Sequence, residues 1–192
     1  MTRPRLIRFA GLPVSRWANG NGETVEIARE PASDPFAWRL SIATISEASV
    51  FSPLPGVARR LMALTAGPLA LTRDGVTVTL ARYESVAFTG DQDVAALAPP
   101  SPQRDLNLMV RGGIPSLDAV TVVGSLTAPV NTVAVVALEG QLVYAGTALE
   151  PGDTVTTGSL ATVIDGEGIV ALATVHPPAH PPAHPAVNAA EH

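Results

Sequence analysis

Arg39 and Ser41 alternate with Trp38, Leu40 and Ile42 in one short apolar run, and Asp105, Asn107 and Met109 alternate with Leu106, Leu108 and Val110 in another. Successive side chains of an extended chain point to opposite faces, so a run that buries its leucines gathers its polar residues on the other face. Those faces then offer a guanidinium, a hydroxyl, a carboxylate and a carboxamide, with Met109 as a pliable apolar filler. The set suits binding. A guanidinium grips a carboxylate through two parallel charge-assisted hydrogen bonds, and Arg39 or Arg59 can supply that fork. Asn19, Asn21 and Glu23 lie on the glycine-rich stretch that follows Trp17 and would add donors and acceptors. The expected ligand is a small polar metabolite bearing a carboxylate together with amide or imidazole groups.

Each of these residues also has a plain structural use. Arg39 and Asp105 can tie two strands together as an ion pair, and Asn107 can satisfy loop backbone groups. Trp17 and Trp38 read as core plugs. Gly20-Asn21-Gly22 reads as a tight turn, because no helical pattern follows it to complete a phosphate cradle.

The missing residue types narrow the chemistry further. There is no cysteine, hence no thiolate nucleophile, disulfide or metal–thiolate site. The twelve basic residues are all arginine, so Schiff-base chemistry and the P-loop lack their lysine. The four histidines, His176, His180, His184 and His192, all follow Val175. The body of the chain therefore has no imidazole for a metal ligand, triad base or proton shuttle, and no catalytic residue, metal or cofactor is expected. A formal net charge of -5 without a basic run disfavours nucleic acid. No apolar stretch approaches the roughly 20 residues that span a bilayer, and Met1–Leu6 lacks the apolar run of a signal peptide. A cytoplasmic location and no membrane partner are expected.

The elements that must position these groups are strands. Turn signals recur at short intervals, and the apolar runs between them are brief and β-branched, which points to an all-β barrel or sandwich. Strands are expected at Phe36–Ile45, Ser85–Phe88, Val94–Leu97, Leu106–Val110, Ala119–Val123, Val133–Leu138, Gln141–Tyr144, Leu160–Ile164 and Ile169–Val175. A hairpin is expected about Arg73-Asp74-Gly75, with Val76, Val78 and Leu80 on one face. A short helical turn is expected within Gly56–Leu64. Gly67-Pro68-Leu69 aligns with Gly140-Gln141-Leu142, and Leu80–Val86 aligns with Leu149–Val155, at offsets of 73 and 69 that a longer first hairpin reconciles. The second copy contains Leu149-Glu150-Pro151-Gly152-Asp153, which is similar to the turn that cupin barrels use to reverse a strand. The expectation is two tandem cupin-like (jelly-roll) β-barrels, a bicupin: residues 1–112, then a smaller barrel at 113–175. Residues 176–192 form a Pro/Ala/His tail expected to be disordered. Its neighbouring histidines would lie about 12 Å apart in polyproline II geometry, too far to share one ion.

Three segments together resemble the HutD/Ves family of bacterial proteins, often encoded beside histidine-degrading enzymes. They are Trp17-Ala18-Asn19-Gly20-Asn21-Gly22-Glu23-Thr24; Phe36–Ala43 followed by Phe51–Arg59; and Arg104-Asp105-Leu106-Asn107-Leu108-Met109. Asn21 stands where that family usually has glycine, and Ala58 where an aspartate commonly precedes the arginine. The resemblance implies an accessory or regulatory protein of histidine catabolism that binds a urocanate- or N-formylglutamate-class metabolite without metal, in the first barrel. The implied contacts are Trp17, Asn19, Asn21, Glu23, Arg39, Ser41, Arg59, Asp105, Asn107 and Met109. The alternatives are a metal-free enzyme using paired carboxylates such as Glu23 and Asp105, and a dimeric interaction module. A homodimer is expected under each reading.

Overall fold

The computed structural model describes residues 3–178. Its strands are β1 (Arg5–Ile7), β2 (Val14–Arg16), β3 (Gly22–Glu30), β4 (Trp38–Ile45), β5 (Ser49–Val50), β6 (Ala58–Ala63), β7 (Leu69–Arg73), β8 (Val76–Leu80), β9 (Ser85–Thr89), β10 (Val94–Ala96) and β11 (Gln103–Val110). Then come β12 (Ile114–Thr127), β13 (Thr132–Tyr144), β14 (Thr147–Leu149), β15 (Thr154–Thr156) and β16 (Val163–His176). Among the described residues the only helical element is a 3-10 turn at Phe9–Gly11.

Two sheets wall the first barrel, in the orders β2-β3-β4-β11-β6-β9 and β5-β10-β7-β8. Leu61 and Ala63 of the larger sheet meet Leu69, Leu71, Leu80 and Val94 of the smaller one in a closed apolar core. A third sheet, β1-β15-β13-β16-β12 with β14 on β13, makes the second barrel. It curls round its own core, in which Val122, Val135, Leu142, Leu149, Val155, Ile164 and Val170 pack together. The two barrels share a third core. Leu40, Ile42, Met62, Leu106 and Leu108 on the outer face of the larger sheet pack on Leu117, Ala134, Val136, Ala171 and Ala173. The large sheet is thus apolar outward, toward the second barrel, and its inner face is left free for polar residues.

The internal repeat is physical. Leu69 pairs with Leu80 across the first hairpin, and Leu142 pairs with Leu149 across the second. After each hairpin an acidic side chain caps its own turn: Ala81 N–H donates to Glu84 Oε2 at 2.8 Å, and Glu150 N–H donates to Asp153 Oδ2 at 3.0 Å. Tyr83 and Gly152, equivalent in the repeat, take φ 67° and 93°. Their N–H groups bond the carbonyls of Ala63 and Ala137 at 2.7 and 2.8 Å. Asp74 and Gly75 (φ 49° and 80°) turn the first hairpin with the left-handed pair that matches strand twist.

Four expectations change, the first being that Leu160–Ile164 and Ile169–Val175 are not separate strands: β16 is continuous from Val163, and Leu160–Thr162 precede it. Gly56–Leu64 contains no helical turn; β6 occupies it. Leu61, Met62 and Ala63 are all fully buried, and burial on two opposite faces is what a strand between two cores provides. Val133–Leu138 and Gln141–Tyr144 form one strand, β13, broken in register by a bulge between Ala137 and Glu139. The division at residue 112 is crossed by β1, which pairs with β15 and so adds the N-terminal segment to the second barrel. His176 ends β16 opposite Ile114. Residues 179–192 of the expected tail, with His180, His184 and His192, lie outside the described residues.

Asp153 fastens that crossing segment. Its carboxylate accepts from Phe9 N–H (2.9 Å) and Glu150 N–H, and pairs with Arg8 Nη1 at 2.5 Å. Phe9 also covers Gly152, where a Cβ would fall 2.8 Å from the ring. Burial pushes the Asp153 carboxyl up, but the two N–H groups and Arg8 outweigh it and hold the group below its usual range. A carboxyl depressed in the folded state stabilises above its unfolded pKa and stops doing so as pH falls through the folded value. Asp153→Ala is therefore expected to cost about 2–3 kcal/mol near pH 7, the loss shrinking toward zero in strong acid. Urea unfolding across that range is the check; a cost independent of pH would show that the ionised carboxylate is not the source.

Candidate functional site

The inner face of the large sheet carries the polar set in rows fixed by strand register. Across β4, β11 and β6, one row reads Arg39–Met109–Arg59, the next Ser41–Asn107–Leu61, and the third Ala43–Asp105–Ala63. The two arginines stand two strands apart, about 10 Å at the backbone, so both can converge over Met109. The small Ala43 and Ala63 leave Asp105 walled in, with nothing of it exposed. Above this floor lies a cavity of about 400 Å³, part open to solvent, whose lining also includes Trp17, Asn19, Phe51 and Leu54.

Arg59 is the centre of the site. It is 6% exposed, and its guanidinium lies over the neighbouring Phe51 and Phe88 rings, 5.2 and 4.8 Å from centroids that are themselves 6.1 Å apart. Its one hydrogen bond among the described residues is a long one, Nη2 donating to Asn107 Oδ1 at 3.4 Å, and its Nε has none. Burial lowers its pKa to about 10, Asp105 opposing that fall and Arg39 adding to it, so the group remains a cation at neutral pH. The aromatic faces hold the charge in place by their quadrupoles without neutralising it.

Asp105 has the complementary problem. Its Oδ1 accepts from Asn107 Nδ2, while Oδ2 is buried without a partner among the described residues. Burial raises its pKa to about 7; Arg59 and the Asn107 amide act in the opposite direction. Asn107 thus bridges the two charges, donating to one and accepting from the other. Arg39 does not pair with Asp105 as the structural alternative had it. Its Nε lies 2.8 Å from Glu26 Oε2, an ion pair by distance although off-axis for a hydrogen bond. Glu26 also takes Arg29 at 2.5 Å, and Arg29 first, then Arg39, holds its carboxyl below the usual range.

Of the ten expected contacts, Trp17, Asn19, Arg39, Ser41, Arg59, Asp105, Asn107 and Met109 line the cavity; Asn21 and Glu23 do not. Glu23 is adjacent to Thr24, which does line it, so strand alternation turns Glu23 to the other face, opposite Arg16 of β2. The carboxylate pair Glu23–Asp105 is therefore not assembled. Asn21 instead ties the loop, its Nδ2 donating to Ala48 O at 2.7 Å and its N–H to Asn19 Oδ1 at 3.0 Å. The left-handed position of that loop falls on Gly20, at φ 75°, so Asn21 in place of glycine costs no strain. Ala58 precedes Arg59 on β6 and faces away from the cavity, so a carboxylate there would not enter it either. Trp17 Nε1 donates to Thr24 Oγ1 at 2.8 Å, which fixes the indole in place.

Sequence reasoning missed Glu26 and the aromatic partner Phe88, and took Phe51 only as the start of a family-like segment. Glu26 had a signal, since it shares the inward phase of Thr24. Among the described residues no cluster of three or more His, Cys, Asp or Glu side chains is placed to hold a metal ion, and no helix is long and apolar enough to cross a membrane.

A family model described as HutD matches residues 10–172. Protein Ves of Citrobacter koseri is 43% identical over 105 residues, 52% of this chain and 54% of that protein. An uncharacterized 21.2 kDa protein in the hutC 3' region of Pseudomonas putida is 35% identical over 112 residues, 57% of this chain and 59% of that protein. The chain spans about half the length of the curated relatives it matches. Among solved structures, HutD from Pseudomonas fluorescens SBW25, in a formate condition, superposes with a TM-score of 0.76 at 27% identity, covering 90% of this chain and 99% of that one. A conserved protein of unknown function from Pseudomonas aeruginosa PAO1 gives 0.78 at 25% identity, covering 91% and 100%. A cupin 2 conserved barrel protein from Leptotrichia buccalis, at 12% identity and TM-score 0.60 over 91% and 98%, shows the fold alone.

Proposed function

The chain belongs to the HutD family, and from that premise we propose that its first barrel is a receptor for a small carboxylate metabolite, bound without metal. The observation that carries this reading is Arg59: a buried guanidinium, set over two adjacent aromatic rings, with no carboxylate in ion-pair range among the described residues, and part of the cavity lining. A buried cation left without a counter-ion is costly, and a ligand carboxylate is the group that relieves it. Arg39, Ser41, Asn107 and Asn19 surround that position and supply donors and acceptors for a second polar group. The volume suits a ligand of metabolite size.

The physiological setting we propose is histidine catabolism, with urocanate or N-formylglutamate as the ligand class and an accessory or regulatory role. The names of two relatives support it: one is called HutD, and the other lies in a hutC 3' region. Isothermal titration of the protein with formate, trans-urocanate and N-formylglutamate is the test. At least one is expected to bind with a dissociation constant in the micromolar to low-millimolar range, about 4–8 kcal/mol. Flat heats across all three remove the reading. An acid/base enzyme is the second reading, favoured only by the pKa of Asp105 near 7. Turnover of any of these compounds, followed by chromatography, would replace binding with catalysis.

A further inference from the structure

We propose that the cavity takes up a carboxylate ligand together with one proton, held on Asp105, so that occupancy responds to acidity as well as to the metabolite. This rests on the carboxylate reading above and adds a regulatory property to the same site.

The geometry supplies the reason. Asp105 is wholly enclosed between Ala43 and Ala63, and its Oδ2 has neither solvent nor a partner among the described residues. Asp105 lines the floor of the cavity, and its coupling to a carboxylate seated on Arg59 runs through charge and through Asn107. From β6 the charge facing Asp105 is Arg59; from β4 it is Arg39, already shared with Glu26 of β3. On its own strand Asn107 is neutral, and Phe51, Ser52 and Leu54 of the opposite wall bring no charge. Arg59 is thus the main group that favours the ionised carboxylate, and it is also the group a ligand carboxylate would occupy. Once an anion sits on Arg59, Asp105 loses most of that attraction and gains a second negative charge at short range while itself fully buried. Both changes favour the neutral acid. One anion and one proton enter together, and the net charge of the site is unchanged. The carboxyl stands near pH 7 in the free protein, which places the exchange in the physiological range.

The Asn107 bridge fits this account. Its Nδ2 donates to Asp105 and its Oδ1 accepts from Arg59. A neutral Asp105 still accepts from Asn107 through Oδ1, and the proton removes the charge from the orphaned Oδ2, so Asn107 keeps its orientation. Protonation costs the binding site nothing in geometry.

The test is titration of the full chain with sodium formate and with N-formylglutamate, whose carboxylates stay ionised throughout, from pH 6 to 8.5. Each pH is run in two buffers of different ionisation enthalpy. Uptake of about half a proton per ligand is expected at pH 7, rising toward one at pH 8. Affinity should be about thirtyfold weaker at pH 8.5 than at pH 6. Asp105→Asn keeps the shape and the acceptor for Asn107, and is expected to bind with no uptake and a level pH profile. Binding by the native chain with no uptake and a level profile overturns the proposal and leaves the carboxylate reading standing. Undiminished uptake in Asp105→Asn also overturns it, by placing the proton elsewhere. Failure of both compounds to bind at every pH removes the carboxylate reading and this inference with it. The native-chain measurement decides the matter even if the variant does not fold.

Discussion

Arg59→Gln should weaken binding of formate or N-formylglutamate by about a hundredfold or more, the largest loss expected of any single change in the cavity. Among the described residues the guanidinium has no carboxylate within ion-pair distance, and its placement over the Phe51 and Phe88 rings is set before any ligand arrives. Glutamine retains a donor at similar reach but gives up the charge and the two-pronged geometry. Arg59→Lys restores the charge without the fork or the flat stacking surface, so a partial loss of about tenfold is expected from it. Arg39→Gln should cost less than Arg59→Gln, because Glu26 already occupies part of that guanidinium. Titration of the three variants gives the order directly. Binding by Arg59→Gln within threefold of the native protein would mean that the ligand sits elsewhere.

The second large effect concerns stability. Asp105 is fully buried, and its pKa in the folded protein is about 7, against about 3.9 for an exposed aspartate. A carboxyl whose pKa is raised by folding favours the native state fully below the unfolded value. That contribution is lost as pH rises through the folded value, after which an ionised group sits in an apolar enclosure. Asp105→Asn removes the cost. The variant is expected to be more stable than the native protein at pH 8 by roughly 2–4 kcal/mol, a margin that shrinks to about 1 kcal/mol at pH 5 and vanishes below pH 4. Chemical denaturation at both pH values measures the difference. A variant equally destabilised at pH 5 and pH 8 would contradict the assignment.

These two residues also show what the chain reveals before folding and what it withholds. The inward set Arg39, Ser41, Asp105, Asn107 and Met109 was legible because period-two alternation is a local property, and each run had leucines to mark its buried face. The assignment of those leucines was incomplete, however. They face the second barrel, and nothing in a single strand says which neighbour covers it. The hairpin and the capped acidic turns of the repeat were legible because Leu69–Leu80, Leu142–Leu149, Glu84 and Asp153 recur in order. The β6 region read as a helical turn because Leu61, Met62 and Ala63 are consecutive apolar residues. Only the presence of cores on both sides makes them a strand. Partnership was the least legible feature. Arg39 chose Glu26 over Asp105, and Arg59 found Phe88, because those pairings depend on which strands become neighbours and in what register. Glu23 was misplaced by one residue of alternation, Thr24 taking the inward face instead.

The central claim is that a ligand carboxylate meets Arg59 inside the first barrel. A crystal structure of the protein soaked with N-formylglutamate tests it most directly. The account predicts the ligand carboxylate within hydrogen-bonding distance of the Arg59 guanidinium, between Phe51 and Asn107. A ligand seated outside this cavity, or held there by a metal ion with Arg59 untouched, would contradict it.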